Sequence, residues 1–163
     1  MTLGFSQEIK GVKNFFVKKI WKSLVLHEIS SGVFYVKYQN QHFAKFLRYW
    51  DGSDTSGLKP KLHTIRQGVG RWRAGMNIHM VINNRTANRF QFAPTIKCKS
   101  VQKIEIKWNS KHIVTVYIDG KSIHADVLEV LAVNDGFNSL ADFFAYFDKD
   151  FTGTLIHWTD LKY

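Results

Sequence analysis

Ile96-Lys97-Cys98-Lys99-Ser100-Val101-Gln102-Lys103-Ile104-Glu105-Ile106-Lys107-Trp108 sets the structural period for the centre of this chain. Ile96, Cys98, Ser100, Ile104, Ile106 and Trp108 share one parity, opposite Lys97, Lys99, Lys103, Glu105 and Lys107. Successive side chains of a strand point to opposite faces, so the alternation predicts a long, bent, half-buried strand with a lysine-rich outer face. Val114, Val116 and Ile118 carry the same period into Asp119-Gly120, a strong signal for a two-residue hairpin.

Toward the C-terminus, Ser139 is placed to cap a helix, with Asp142 at the capping-box position and Leu140, Phe143, Phe144 and Phe147 as its apolar stripe. Leu155-Ile156-His157-Trp158 then reads as a closing strand. Toward the N-terminus, Met76 to Ile82 is a short apolar run after a turn at Ala74-Gly75. Leu3-Gly4-Phe5 suits a first strand. Residues 10–25 read as an amphipathic helix, with Val12, Phe16, Ile20 and Leu24 in one stripe, Trp21 beside it, and Lys13, Lys18, Lys19 and Lys22 outside.

Residues 26–58 carry a turn at Ser30-Ser31-Gly32, β-friendly or aromatic residues at Val33 to Val36, Tyr38 and Phe43 to Trp50, and a polar loop at Asp51–Gly57. They read as a long connection or an inserted hairpin, and their aromatic content would also suit a protein-binding surface. The expected class is therefore α+β: a mostly antiparallel sheet or small barrel with two main helices, one domain over residues 1–163, and no internal repeat.

The chain has 163 residues, 45% hydrophobic and 15% aromatic, enough for a real core without metal or disulfide staples. No apolar run approaches the roughly 20 residues of a membrane span, and the first residues lack a secretion pattern. Cys98 is the sole cysteine, so no internal disulfide can form and a cytoplasmic, reducing setting is expected. Net charge is +10 with a pI near 9.7, from 23 Lys and Arg against 13 Asp and Glu. Such an excess draws a protein toward polyanions, and aromatics alongside it favour nucleic acid or a nucleotide.

Several other signals are weak. Asp148-Lys149-Asp150-Phe151-Thr152-Gly153-Thr154-Leu155 imitates a calcium loop, but its twelfth position is Thr159 where a bidentate glutamate belongs. The seven histidines form no compact ligand pair, so no metal and no cofactor is expected. Gly68-Val69-Gly70 lacks the remaining spacing of a dinucleotide loop, and Gly120-Lys121-Ser122 has Thr115 where a phosphate loop needs its first glycine.

Two basic stretches matter more. Arg71-Trp72-Arg73, with Arg85, Arg89, Phe90 and Phe92, interleaves cations and rings as phosphate contact plus base stacking requires. A packed Trp72 flanked by arginines that reach into water would give the same pattern. In Lys61-Leu62-His63-Thr64-Ile65-Arg66, Thr64 and Arg66 have equal parity and share a face of a strand. Lys61 joins them only if the strand starts after it, and Pro60 makes a loop there plausible. Two cations and a hydroxyl in one cleft would suit an anionic or carbonyl-bearing ligand.

Lys61-x-x-Thr64-x-Arg66, the basic stretch, the Gly75 turn and the β run after it resemble the ASCH family, a branch of the PUA-like pseudo-barrels. The block Asn134-Asp135-Gly136-Phe137-Asn138-Ser139, followed by a Phe-rich helix, is similar to the family's acidic residue and its following helix. The resemblance covers residues 60–163, with 26–58 as an insertion. It departs from the family pattern at Lys59, where a glycine is usual, and at Asp135, where the hydrolytic branch has glutamate. It implies a PUA-like, mostly antiparallel β pseudo-barrel whose cleft is lined by Lys61, Thr64, Arg66 and Asp135 and binds RNA or a nucleotide. It also implies an alternative: an amidohydrolase that deacylates a modified nucleoside such as N4-acetylcytidine. Lys61 would act as base, Thr64 as nucleophile and Asp135 as proton shuttle, with Arg66 holding a phosphate or the developing oxyanion.

Overall fold

The structure is a computed structural model that describes residues 1–50, 56–110 and 113–163. In chain order, its elements begin with β1 (Thr2–Phe5), β2 (Glu8–Ile9), β3 (Val12–Lys13), α1 (Phe16–Leu26) and α2 (Gly32–Phe46). They continue with β4 (His63–Gln67), β5 (Asn77–Ile82), β6 (Phe90–Gln91), β7 (Ile96–Lys97) and β8 (Ser100–Trp108). Last come β9 (Val114–Ile118), β10 (Lys121–Ser122), α3 (Ala125–Asn134), α4 (Leu140–Tyr146) and β11 (Phe151–His157). The chain groups into two compact units, one of Met1–Lys61 with Asn77–Ile96, the other of Leu62–Met76 with Lys97–Tyr163.

In the first unit, β5 lies between β1, which it meets in parallel from Thr2↔His79 to Phe5↔Ile82, and β6, which it meets antiparallel. Leu3, Phe5, Ile78, Met80, Val81 and Ile82 are buried along these strands. Val17, Ile20, Trp21 and Leu24, at helical spacing, form the buried stripe of α1. The Trp21 indole N–H donates to the Phe92 carbonyl at 2.9 Å.

The expected helix over 10–25 is shorter than predicted. Lys10 and Gly11 adopt φ of 50° and 78°, so the chain turns there and β2 pairs with β3 as a hairpin. Val12 is therefore 69% exposed and outside the helical stripe. Asn14 makes the switch to helix: its side-chain amide donates to the Ser6 carbonyl at 3.0 Å, and its side-chain oxygen accepts from the Phe16 N–H at 3.0 Å.

Residues 32–46 form a helix, not the hairpin expected from their β-friendly composition. Tyr35 and Tyr38 pack on Trp21 with centroids 5.4 and 5.9 Å away, and the His42 ring lies 5.3 Å from both Trp50 and Phe90. Positions 35, 38 and 42 recur at helical spacing, and that tertiary packing outweighs the strand propensity of Val33 to Val36. Asp51–Thr55 of the predicted polar loop lie outside the described residues.

The second unit is a sheet in the order β10-β9-β8-β11-β4, antiparallel at every pairing. Its inner face is the predicted one: Ile104 and Ile106 are fully buried while Lys103 and Lys107 are exposed. Asp119 and Gly120 turn the β9–β10 hairpin at φ of 49° and 83°. Ser139 Oγ accepts from the Asp142 N–H at 3.1 Å, as the capping pattern predicts. Phe137, Phe143 and Phe147 form an aromatic cluster, with Phe143 5.4 Å from Phe137 and 4.8 Å from Phe147. At Gly153 a Cβ would lie 2.4 Å from the Arg66 carbonyl, so β4 and β11 approach there only because the residue is glycine.

The class is α+β with mostly antiparallel sheets. Two features differ from expectation: there are four described helices instead of two main ones, and neither sheet closes on itself as a barrel. Closure needs every edge paired, and β4 and β10 are left as edges. No described helix is long and apolar enough to cross a membrane.

Candidate functional site

Strand β4 starts at His63, after Lys61, which is the condition for bringing Lys61 near Thr64 and Arg66 in the sequence argument. Lys61 belongs to the first unit, where its N–H donates to the Lys19 carbonyl at 3.0 Å and its ammonium sits 4.6 Å from the centre of the Phe16 ring. A ring face attracts the charged form of the amine. Thr64, Arg66 and Asp135 belong to the second unit. Thr64 is 1% exposed and lies opposite Ile156 of β11.

Asp135 closes α3 onto β4. Its Oδ1 accepts from the Ile65 N–H at 3.0 Å and lies 3.4 Å from His63 Nδ1. One residue earlier, the Asn134 carbonyl accepts from the Leu62 N–H at 2.8 Å. Burial lowers the Arg66 pKa, while the neighbouring Asp135 and then Tyr146 act to raise it. The structure thus couples Arg66 with Asp135, and the Asp135 carboxylate is committed to backbone and histidine contacts.

Sequence reasoning missed the polar chain behind Asp135. His63 Nε2 lies 2.9 Å from the Tyr163 hydroxyl, which also accepts from the Asn134 side-chain amide at 3.0 Å. The order is Asn134, Tyr163, His63, Asp135. Burial raises the Tyr163 pKa well above the ordinary phenol value, with Asn134 opposing. His157, fully buried beside His63 and Tyr163, is pushed down to about 3, chiefly by burial and then by His63 and Lys162. Four of these residues lie at strand and helix ends far apart in sequence, and no spacing rule joins them.

The basic stretch after β4 is a pinned loop. Thr154 Oγ1 donates to the Gly68 carbonyl at 2.7 Å, and the Gly75 N–H donates to the Cys98 carbonyl at 2.8 Å. Gly68, Gly70 and Gly75 adopt φ of 84°, 86° and 83°, turns that favour glycine. Trp72 is 7% exposed, so it anchors the loop, while Arg71 and Arg73 stand exposed on either side. Among the described residues neither guanidinium has an ion-pair or hydrogen-bond partner. The lysines of β8 differ: Lys103 pairs with Glu105 at 2.9 Å and Lys107 with Asp150 at 3.8 Å.

The remaining candidates fall elsewhere. Phe92 is fully buried in the first unit, while Arg85 and Arg89 are exposed there. No group of three His, Cys, Asp or Glu suited to a metal occurs among the described residues. Burial pushes the Cys98 thiol up, away from the reactive thiolate. Compared with known proteins, the chain matches no family model, no curated protein and no solved structure.

Proposed function

We propose that the protein binds RNA or nucleotides through the second unit, as an ASCH-like domain of PUA-like ancestry in a cytoplasmic setting. The observation that carries this reading is the pinned loop. Two arginines without partners among the described residues are held outward by a buried tryptophan and by hydrogen bonds at both ends of the loop, on a chain of net charge +10. A pre-ordered arginine pair loses less conformational freedom on meeting phosphates than arginines on a mobile tail. Arg66, coupled to Asp135, adds a third cation on the adjoining strand.

Anisotropy of a labelled single-stranded RNA, followed across salt concentrations, tests it. Each phosphate contact on a single strand contributes about 0.7 to the slope of log K against log salt, so Arg71→Ala with Arg73→Ala should lower that slope by about 1.4. Negligible binding by the native protein at low salt removes the reading.

Deacylation of an acylated nucleoside is the second reading, supported by the position of Thr64 on β4 between the contacts that Asp135 makes with His63 and Ile65. Binding is preferred over it because the Asp135 carboxylate is held by the Ile65 N–H. Incubation with N4-acetylcytidine, with Thr64→Ala in parallel, decides between them: turnover lost only in that variant would make the protein an enzyme.

A further inference from the structure

A cleft of about 320 Å3 lies within the first unit and shares only Phe16 with the residues of the candidate site described above. Its wall is cationic. Among the described residues, Lys13, Lys18 and Arg48 line it against one carboxylate, Glu8, which lies opposite Lys13 across the β2–β3 hairpin. The first turn of α1 lines it as well, from Phe16 to Lys18, and the partial positive charge of a helix N-terminus favours an anion there.

A second, independent feature points to a ligand. His42 is only 3% exposed and lines the cleft. Its Nδ1 lies 2.8 Å from the Arg48 carbonyl oxygen. A carbonyl can only accept, so Nδ1 carries the hydrogen and Nε2 the lone pair. Burial lowers the His42 pKa, which keeps the ring in that neutral form. Among the described residues only Nδ1 has a hydrogen-bond partner, and the residue lines the cleft. A buried acceptor in that state is completed by an N–H donor from outside.

Aromatic surface completes the set. Phe15 and Tyr49 line the cleft, and Tyr49 is 49% exposed with Phe43 stacked 4.7 Å away on it. Phe15 holds a φ of 56°, unusual for a bulky residue, and such backbone outliers tend to cluster at ligand sites.

We propose that this cleft binds a nucleoside monophosphate unit. The phosphate is held by Arg48, Lys13, Lys18 and the α1 N-terminus, the base lies against Phe15 and Tyr49, and an N–H of the base donates to His42 Nε2. Cations supply the anion contact, rings supply stacking, and the His42 acceptor calls for a donor on the ring. Few ligand classes offer all three. The site is distinct from the Arg71–Arg73 loop, and neither proposal depends on the other.

Calorimetric titration of the whole protein at low salt with AMP, purine riboside 5′-monophosphate, inorganic phosphate and a short oligoadenylate tests it. Purine riboside lacks the exocyclic amine, which is the only N–H donor of the adenine ring. AMP should bind about tenfold more tightly than the purine riboside nucleotide, the worth of one hydrogen bond. Inorganic phosphate should bind more weakly than either. Arg48→Glu, at an exposed position, should weaken AMP at least tenfold, whereas Lys121→Glu, exposed on β10, should leave AMP unchanged. Tighter binding of the oligomer than of AMP would identify a nucleotide within a strand as the occupant, and the reverse would identify a free nucleotide. Equal affinity for AMP and the purine riboside nucleotide, AMP no tighter than phosphate, or indifference to Arg48→Glu would each overturn the proposal.

Discussion

Three buried histidines separate the two units of this molecule. In the second unit His63 Nε2 meets the Tyr163 hydroxyl at 2.9 Å, and its Nδ1 lies 3.4 Å from the Asp135 carboxylate. Among the described residues its neighbour His157 has no partner at either nitrogen and is kept neutral by burial. In the first unit His42 is bonded at Nδ1 alone among the described residues, and it lines a cleft. A buried polar group that the chain satisfies itself holds structure together: Asp135 and His63 fasten the end of α3 to β4. A buried polar group left open at a cavity is arranged for something the chain does not supply. The bond from the Ile65 N–H to Asp135 in the second unit is therefore read as scaffold, and the cleft lined by His42 in the first as a site.

The sharpest test of the scaffold reading is Phe143→Ala. Phe143 is fully buried at the centre of the aromatic cluster, and truncating such a ring costs about 3–5 kcal/mol. Urea unfolding should show a loss of that size; a loss below about 1 kcal/mol would mean that the cluster does not hold α4.

A smaller effect comes from His157. Its ordinary pKa is 6.5 and its folded value is about 3, so as pH falls through that window the unfolded state takes up a proton that the native state refuses. Stability should therefore fall with decreasing pH by up to about 1.4 kcal/mol per unit from this group. Urea midpoints from pH 7 to pH 4.5, compared between the native protein and His157→Phe, measure it. An equally steep slope in the variant would show that His157 does not stay neutral.

The smallest expected effect lies in the first unit. Asn14→Ala removes the oxygen that accepts from the Phe16 N–H and should cost about 1 kcal/mol. It should also fray the first turn of α1, visible as faster amide exchange at Phe16 and Val17. Exchange left unchanged would mean that the hairpin before α1, and not its cap, positions the helix and the cleft wall.

Most of the second unit could be read directly from the chain. Its strands pair antiparallel with one face wet, so the alternation around Ile104 and Ile106, the Asp119-Gly120 turn and the Ser139 cap are local signals with local causes. The first unit resisted because its decisive contacts are distant. β1 pairs in parallel with β5 across more than seventy positions, from Thr2 to His79, and α2 is a helix because Tyr35, Tyr38 and His42 meet rings elsewhere in the fold. The helix expected from residue 10 fails at its start because Lys10 and Gly11 take positive φ and pair β2 with β3. Among the site residues, the shared placement of Thr64 and Arg66 on one strand followed from parity. The contact of Asp135 with the Ile65 N–H did not, since nothing in sequence relates positions 65 and 135.

By itself, then, the sequence determined the antiparallel sheet and its faces, the hairpin at Asp119-Gly120, the cap of α4 and the strongly basic surface. Each follows from chemistry within a few residues or from a sum over the chain. Only the tertiary structure decided the helical state of residues 32–46, the open edges that leave no barrel, and the polar chain from Asn134 to Asp135. It alone opened the cleft on His42. These depend on which distant groups bury one another, and burial is what turns a weak local preference, or an ordinary histidine, into a fixed helix or a poised acceptor.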